Sequence, residues 1–500
     1  MKKLLLLLPL LFFACTDKSS NEKPETILAR VGDKTISVNE FLRRAEYTIC
    51  PAYCRGDNYI HRKIVLNSLI AEKLLANEAE GEPYLEQNEE FQDYLIGRKE
   101  QAMRQWLQNE EAFEKAIVDT NEIKKFYSFA GRTYQIAYFT LQDSALVEQT
   151  RQELAKPGVT FEEVSRKISG TLTPPQREVG FNTLQNDDIL DVLYSQNMEK
   201  NQIIGPVLSE NNQHTFIKIL GWNDRVLLSE QDINSRWQEI KSWLKQKKAV
   251  ELYSTYISDL MHGKRIEFME QTFRQLVNLV GPYYMRSEED KKAAFNQSFW
   301  KNNNSEIDFE SLGSEIDKLQ AMPLFRIAGE VWTVHDFEME MRRHPLVFRE
   351  RKFPKKEFAE QFKLAIVDMI RDKYVTEDAY KKGYDKVPVV RRNYNMWRDN
   401  LYAQYMQNKY LRSLGKREAY NKNTLEVIQT TLNPYVDSLQ VKYNDRIEIN
   451  TDAFEQLKLS HIDLMAVQRN VPFPIVVPNF PALTSDNRLD YGKKMSNQPQ

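Results

Sequence analysis

The stretch ARVGDKTISVNEFL at residues 29–42 recurs in altered form as FRIAGEVWTVHDFE at residues 325–338. Each copy reads as a short strand, a Gly-containing turn, a second strand and the start of a helix. Both helix starts carry a capping box, SVNE at 37–40 and TVHD at 333–336, which satisfies the first free N–H groups of a helix. The chain therefore contains an internal repeat, and this repeat decides the predicted architecture.

The similarity continues through two amphipathic helices and through a closing helix that ends in a short extended segment. Two copies of one helical module are therefore predicted. The matched segments are 64–79 with 364–379, 98–107 with 392–401, and 256–268 with 435–449.

Only the first copy contains a long insertion before its closing helix. Within it, RTYQIAYFTLQ (132–142) alternates like a strand, and residues 143–170 predict two helices broken by a Pro-Gly pair. A short helix at 186–195 and a turn with strands at 203–221 complete an α+β order. We therefore predict a mainly α fold, with a small α+β domain inserted in the first of two related helical modules.

The sequence predicts eight regions along the chain. These are a signal peptide (1–14), a polar tether (15–26), the first part of module one (27–128), the inserted domain (129–223), the closing helix and strand of module one (224–268), a helical connector (269–319), module two without an insert (320–450), and a Pro-rich, extended and partly disordered tail (451–500).

Charge and composition narrow the classes of function. The 500 residues include 69 Lys and Arg and 71 Asp and Glu, for a formal charge of −2, and the two signs are interleaved. Such a balanced chain is not predicted to bind nucleic acid. The sequence contains no phosphate-binding loop, and we predict no cofactor and no metal.

The N-terminus has the pattern of an export signal. Two lysines precede the apolar run LLLLLPLLFFA, which is too short to span a bilayer. Ala14-Cys15 resembles a bacterial lipobox, although Phe12 and Phe13 depart from that motif. Cys15 is thus predicted to be lipidated and to anchor the chain to a membrane. The alternative is an ordinary secretory signal with an incidental cysteine.

Cys50 and Cys54 are the only other cysteines. Outside the cytoplasm they are candidates for a disulfide across a short loop. A metal site that adds His61 is the alternative, but two sulfurs and one distant imidazole make a poor ligand set.

The insertion resembles a parvulin peptidyl-prolyl isomerase domain, and its flanks resemble the chaperone module of SurA- and PrsA-type foldases. The resemblance covers residues 27–268 and, through the repeat, 320–450. It implies that each closing segment pairs with the opening hairpin of its own module, and that the protein holds extended chains without ATP. The motifs that carry it are TFEEVSRKIS (160–169), VGF (179–181), GPV (205–207), FIKIL (216–220) and the closing helix 237–260.

The catalytic positions that the resemblance implies are mostly substituted. The two histidine positions of the parvulin pocket fall on Gln135 and Thr215, and the acidic position falls on Glu178. The methionine and phenylalanine that grip proline fall near Gln185 and Ile189. The resemblance therefore implies a retained fold with weak or absent isomerase activity.

His214 lies one residue from a catalytic position. A regular TFIKIL strand places Thr215 on the face of Ile217 and Ile219, and His214 on the opposite face. A bulge at 211–213 is the alternative that would turn His214 inward.

Two further segments are candidate binding elements. Aromatic and Met side chains can adapt to many clients, although a stripe at helical spacing also suits a core. The Pro-rich segment 471–483 can lie extended across a groove of its own protein or of a partner, and the residues after it are predicted to be disordered. The candidate client-binding residues are Met396, Trp397, Tyr402, Tyr405, Met406 and Tyr410.

We therefore expect a lipid-anchored chaperone or foldase of the bacterial cell envelope, on the outer membrane facing the periplasm. Its expected partners are unfolded exported polypeptides, including outer-membrane proteins. One alternative is an active peptidyl-prolyl isomerase. Another is a structural subunit of an envelope or secretion assembly, docked through 471–483.

Overall fold

Across the residues that the structure describes, helices pack around three small sheets. The computed structural model describes residues 25–170, 173–181, 187–209, 213–225, 229–285, 316–350, 353–459 and 475–495. The predicted signal peptide and Cys15 lie outside these residues, as do 286–315 of the predicted connector.

The elements follow the order predicted from the repeat and its insertion. The first copy contains β1 (Ile27–Val31), β2 (Lys34–Ser37), α1 (Val38–Glu46), α2 (Tyr59–Glu78), α3 (Pro83–Gln87), α4 (Glu89–Gln108) and α5 (Thr120–Tyr127). The insertion contains β3 (Arg132–Leu141), α6 (Ser144–Leu154), α7 (Phe161–Ser169), β4 (Gln176–Gly180), α8 (Asp187–Tyr194), β5 (Ile203–Ser209) and β6 (Gln213–Asp224). After it come α9 (Glu230–Met261), β7 (Ile266–Phe268) and α10 (Glu270–Tyr284). The second copy contains β8 (Pro323–Ile327), β9 (Glu330–Thr333), α11 (Val334–Arg343), α12 (Phe358–Lys381), α13 (Pro388–Ser413), α14 (Arg417–Lys422), α15 (Thr424–Val427), α16 (Asn433–Lys442), β10 (Ile447–Ile449) and α17 (Thr451–Glu455), and β11 (Lys493–Lys494) lies in the tail.

The predicted capping boxes differ between the copies. Thr333 and Asp336 form the full reciprocal box at the start of α11. Ser37 accepts the N–H of Glu40 at 3.0 Å, but the Glu40 carboxylate accepts from the buried Lys73 ammonium instead. The predicted capping box is therefore confirmed in the second copy. In the first copy only the Ser37 hydrogen bond forms, because the Glu40 carboxylate pairs with the buried Lys73 ammonium.

The two closing strands are exchanged between the copies. β10 of the second copy pairs with β1 of the first, and β7 of the first copy pairs with β8 of the second. The resulting sheets are β11-β10-β1-β2, called sheet one, and β7-β8-β9, called sheet two. The expected pairing of each closing segment with its own hairpin is therefore wrong. The closing sequences RIEF and RIEI are so similar that either hairpin can accept either strand.

The helices interlock in the same crosswise way. Helix α13 of the second copy packs on α2 of the first, and α4 of the first packs on α11 and α12 of the second. One core therefore combines Leu69 of α2 with Val436 of α16 and Ile447 of β10. The predicted boundaries at 27–128, 224–268 and 320–450 mark repeats in the sequence but do not separate independent cores.

Buried charges join the copies where α2 meets α13. The Lys73 ammonium lies 2.8 Å from the Glu40 carboxylate and 3.1 Å from that of Asp399, and the Lys73 side chain is 1% exposed. Lys34 lies 3.6 Å from the other oxygen of Asp399. Burial alone would raise the pKa of Asp399, but the charges of Lys73 and Lys34 hold it below its usual value.

Residues 475–495, called the strap, lie across the first copy. Arg44 forms a bidentate ion pair with Glu72 (2.9 and 2.8 Å) and also donates to the Asn479 carbonyl at 2.8 Å. Phe480 and Leu483 are buried in the core beside α2. The strap thus confirms the extended groove-binding prediction for 475–483, in a groove of its own protein; residues 471–474 lie outside the described residues.

The second part of the strap was predicted to be disordered. The Asn67 side chain donates instead to the carbonyls of Asp486 (2.8 Å) and Arg488 (2.6 Å), and β11 pairs in parallel with β10. Residues 484–495 are therefore packed, because α2 supplies polar side chains that satisfy a backbone without regular structure. Residues 496–500 lie outside the described residues.

The insertion forms a separate antiparallel sheet of order β4-β3-β6-β5. Helix α8 covers one face together with α5 and α9, and α6 and α7 cover the other. A mainly helical protein with a small α+β insertion is therefore confirmed. Ile240 and Leu244 of α9 share the core of the insertion, which fixes it to the helical body.

Replacing Asp399 by Ala should strongly destabilise the fold. The change leaves Lys73 and Lys34 buried with one carboxylate fewer, which typically costs about 3–5 kcal/mol. Urea unfolding followed by circular dichroism measures this loss. The wild-type contribution of Asp399 should be complete above pH 3.8, its ordinary value, and should disappear as the pH falls through the lower pKa of the folded state.

The control is Asp445→Ala at an exposed ion pair. Asp445 lies 3.7 Å from Lys493, and the two side chains are 91% and 59% exposed. Its loss should change stability by less than about 1 kcal/mol. Equal effects of the two substitutions would contradict the assigned role of the buried cluster.

Candidate active site and binding cleft

Gln135 and Glu178 lie side by side in the inserted sheet. They are register partners on β3 and β4, and both are exposed. Their neighbours Tyr134 and Val179 point to the opposite face, into the apolar core between the sheet and helices α5, α8 and α9, called the α8 core. The two positions therefore stay together but lie outside any enclosed pocket.

Thr215 and Ile189 lie in the interior of the inserted domain. Thr215 is 5% exposed and shares a hydrogen bond of 3.2 Å with the Thr140 hydroxyl. Ile189 of α8 packs in the α8 core with Ile217 and Ile219. Because Gln135 faces away from this core, the structure separates it from Thr215. Gln185 lies outside the described residues.

His214 lies on the face opposite to Thr215, as a regular strand predicts. It pairs with Leu141 and Leu208, and the register is regular from residue 213 to 215 against β5 and from 214 to 219 against β3. Its face is shared with Phe216, which packs against α6 and α7, and with Lys218. The bulge that would turn His214 inward is absent at Gln213; residues 211 and 212 lie outside the described residues.

The α8 face of the sheet carries apolar side chains, hydroxyl groups and one cation, because the Arg177 guanidinium lies 4.5 Å from the centre of the Tyr138 ring. The Tyr194 hydroxyl lies within hydrogen-bond distance of the carbonyls of Arg132 (2.8 Å) and Val179 (2.9 Å), to which its single proton can be donated. Burial raises the pKa of Tyr134 above its usual value. This surface can hold apolar side chains, but it lacks the paired imidazoles of a parvulin pocket among its described residues. The side chains that β3 and β6 direct there are Tyr134, Ile136, Tyr138, Thr215, Ile217 and Ile219.

The chain should not measurably accelerate rotation about X-Pro bonds. His214→Ala and Glu178→Ala should leave a protease-coupled proline-peptide assay unchanged, because neither side chain faces the α8 core. A known parvulin provides the positive control. Activity in the wild type that either substitution abolishes would contradict this assignment.

The predicted client-binding stripe on α13 is mostly core. Met396 is 4% and Trp397 8% exposed. Tyr402, Tyr405 and Met406 are half-buried against α3 and α4. These side chains are not free for clients, because α13 lies between α2 and α4 and must present apolar residues to both. The last member, Tyr410, stacks on Tyr435 with ring centroids 4.0 Å apart.

A large apolar cleft lies elsewhere, between α4, α9 and α12. It has a volume of about 660 Å³, and its apolar lining includes Tyr253, Ile257, Phe348 and Met369. Val347 stands at its edge and is 75% exposed. The sequence does not predict this cleft, because its walls come from segments far apart in the chain and no single motif marks it.

Arginine side chains surround the cleft. Five arginines against two aspartates give its lining a formal charge of +3. His344 lies at the base, where its Nε2 is 2.8 Å from Glu100. Burial favours a high pKa for Glu100, but the hydrogen bond and charge of His344 keep it below the usual value. The cleft thus joins an apolar floor to cationic hydrogen-bond donors. The charged lining residues are Arg98, Arg104, Arg343, Arg349, Arg371, Asp368 and Asp372.

The candidate disulfide is not formed in the structure. Cys50 and Cys54 are buried thiols that no disulfide joins, and their sulfurs donate to the carbonyls of Ala45 and Pro51, each at 3.6 Å. A hydrogen bond with Cys50, together with burial, raises the pKa of Cys54. His61 Nδ1 accepts the Gly56 N–H at 2.8 Å. Within the described residues, no group of three His, Cys, Asp or Glu side chains is arranged to hold a metal.

In the reduced protein, both thiols should react with iodoacetamide far more slowly than in urea, because they are buried and Cys54 resists ionisation. Mass spectrometry counts the labels. Rapid labelling of the folded chain would contradict the burial. Oxidation of the pair after export stays a prediction, seen as a mass lower by two hydrogens.

No protein-family model matches this chain, and no curated protein matches it significantly. Among the described helices, none combines the length and the apolar character needed to cross a membrane.

Proposed function

We propose that this protein is a membrane-anchored extracytoplasmic chaperone that holds unfolded exported polypeptides, including outer-membrane proteins. The observation that carries the proposal is the open apolar cleft between α4, α9 and α12. A soluble chain normally buries such a surface. An unfolded polypeptide exposes apolar side chains that can cover the cleft. Such binding requires no nucleotide.

The sequence supports the cellular setting of this proposal. The export signal and the lipobox-like Cys15 suit a protein tethered to the envelope. The repeated module and the order of elements in the insertion resemble SurA- and PrsA-type foldases. A tethered chaperone would meet its clients as they emerge from export.

The inserted domain would serve as an accessory surface in this proposal. Its sheet order β4-β3-β6-β5 and its helices on both faces are compatible with a parvulin-like domain. Its α8 face offers hydroxyls, apolar side chains and the Arg177 guanidinium over Tyr138, a set that suits binding better than catalysis. Isomerase activity is therefore not part of the proposed function.

A fixed role in an envelope assembly has less support. That alternative used the Pro-rich segment 471–483 as a docking element. Residues 475–483 are already engaged by Arg44, Asn400, Gln407 and Tyr420 of the same chain. They would have to leave these partners before they could dock elsewhere.

A soluble form that begins after Cys15 should keep a urea-unfolded outer-membrane β-barrel protein in solution after dilution. Suppression of light scattering should approach completion near an equimolar ratio and should not require ATP. Serum albumin at the same mass concentration controls for nonspecific effects. Scattering indistinguishable from the albumin control would contradict the proposal.

A further inference from the structure

The strap shows how α1 and α2 of the first copy, together with α13 and α14 of the second, bind an extended segment. Arg44, Asn400, Gln407 and Tyr420 donate to the carbonyls of strap residues. Pro478 and Pro481 have no N–H to satisfy. The groove therefore recognises an extended, proline-containing backbone through donors aimed at its carbonyls, while apolar strap side chains enter the core.

One face of α2 carries much of this contact. Ser68 donates to the Thr484 carbonyl at 3.5 Å, and Glu72 holds the Arg44 side chain that reaches the strap. The closing helix α16 forms the next wall, where Asn433 accepts from the Thr484 hydroxyl at 2.8 Å. A helix of one copy and a closing helix thus flank the strap.

The repeat maps this face onto the cleft. Matching 64–79 with 364–379 places Asp368, Arg371 and Asp372 of α12 at the positions of Ser68, Ala71 and Glu72. All three α12 residues line the cleft, and the other closing helix, α9, forms its next wall. The surface that the strap covers beside α2 is therefore not covered by any described residue beside α12.

The closing strands show the same asymmetry. On β10, the Ile449 carbonyl accepts the N–H of Met495 at 2.9 Å, just after β11. β7 has the equivalent register, because Met269 donates to Leu324 as Asn450 donates to Leu28. The N–H and C=O groups of Ile266 and Phe268 consequently point away from β8.

Within the described part of the chain, no strand pairs with that outer edge of β7. An edge strand with unpaired backbone groups is a site for strand addition. The α12 face and the outer edge of β7 are thus equivalent to the two surfaces, on α2 and β10, that the strap contacts. No described residue covers either of them.

We propose that the cleft and the outer edge of β7 form a second strap path, which binds an extended, proline-containing apolar segment of a client. The inference rests on the proposed chaperone function and names the kind of segment that it holds. The arginines of the cleft would donate hydrogen bonds to the carbonyl groups of the bound segment, as Arg44 does to the strap. The +3 lining favours neutral or acidic segments over basic ones.

A peptide with the strap sequence is used to measure binding to the cleft. A fluorescein-labelled peptide of sequence IVVPNFPALTSDN (475–487) is titrated with the complete soluble chain, and anisotropy gives the Kd. Val347→Asp adds an acidic group at the apolar cleft edge, and Ser254→Trp fills the cleft from an exposed position on α9. Each should weaken binding about tenfold or more, as expected for loss of one well-packed contact.

Val441→Asp is the matched control. Val441 is 78% exposed, close to the 75% of Val347, and it does not line the cleft. Its Kd should equal that of the wild type. If all four proteins bind equally, the peptide uses another site and the proposal fails. Absence of binding by the wild type also overturns it.

Sedimentation tests whether the cleft instead binds the strap of a second copy of this chain. If the chain dimerises and Val347→Asp dissolves the dimer while the free peptide does not bind, the occupant is another copy and the client assignment is overturned. The proposed function is tested independently by scattering: full suppression with no peptide binding removes only this inference. Binding without suppression removes the chaperone role instead.

Discussion

The exchange of closing strands is the constraint on which the rest of the structure depends. Each opening hairpin is completed by the strand that ends the other copy, β10 on β1 and β7 on β8. The chain must therefore pass from sheet one to sheet two and back again. This path forces α2 against α13 and α4 against α12, and it leaves the cleft where the helices of the two copies diverge.

Two buried ion pairs stabilise the arrangement in which the closing strands are exchanged. Lys73 of the first copy is neutralised by Asp399 of the second inside the contact, so neither copy can leave without exposing an uncompensated buried charge. Arg44 and Glu72 then fix the strap through the Asn479 carbonyl. The strap covers the groove beside α2, whereas no residue that the structure describes covers the equivalent surface beside α12.

The local structure was largely predictable, and the long-range structure was not. Patterning and capping predicted both hairpins, and alternation predicted that His214 faces away from Thr215. The pairing was missed because RIEF and RIEI are nearly interchangeable. The strap residues 484–495 were misjudged because their binding energy comes from Asn67 and other distant side chains, which a local composition does not show.

Hydrogen–deuterium exchange of the full soluble chain, with and without an unfolded outer-membrane protein, tests the central claim most directly. The account predicts slower exchange on client binding in residues 250–257 and 343–349 around the cleft and at β7, with the strap unchanged. Protection confined to the inserted domain, or released strap residues without protection at the cleft, would contradict it.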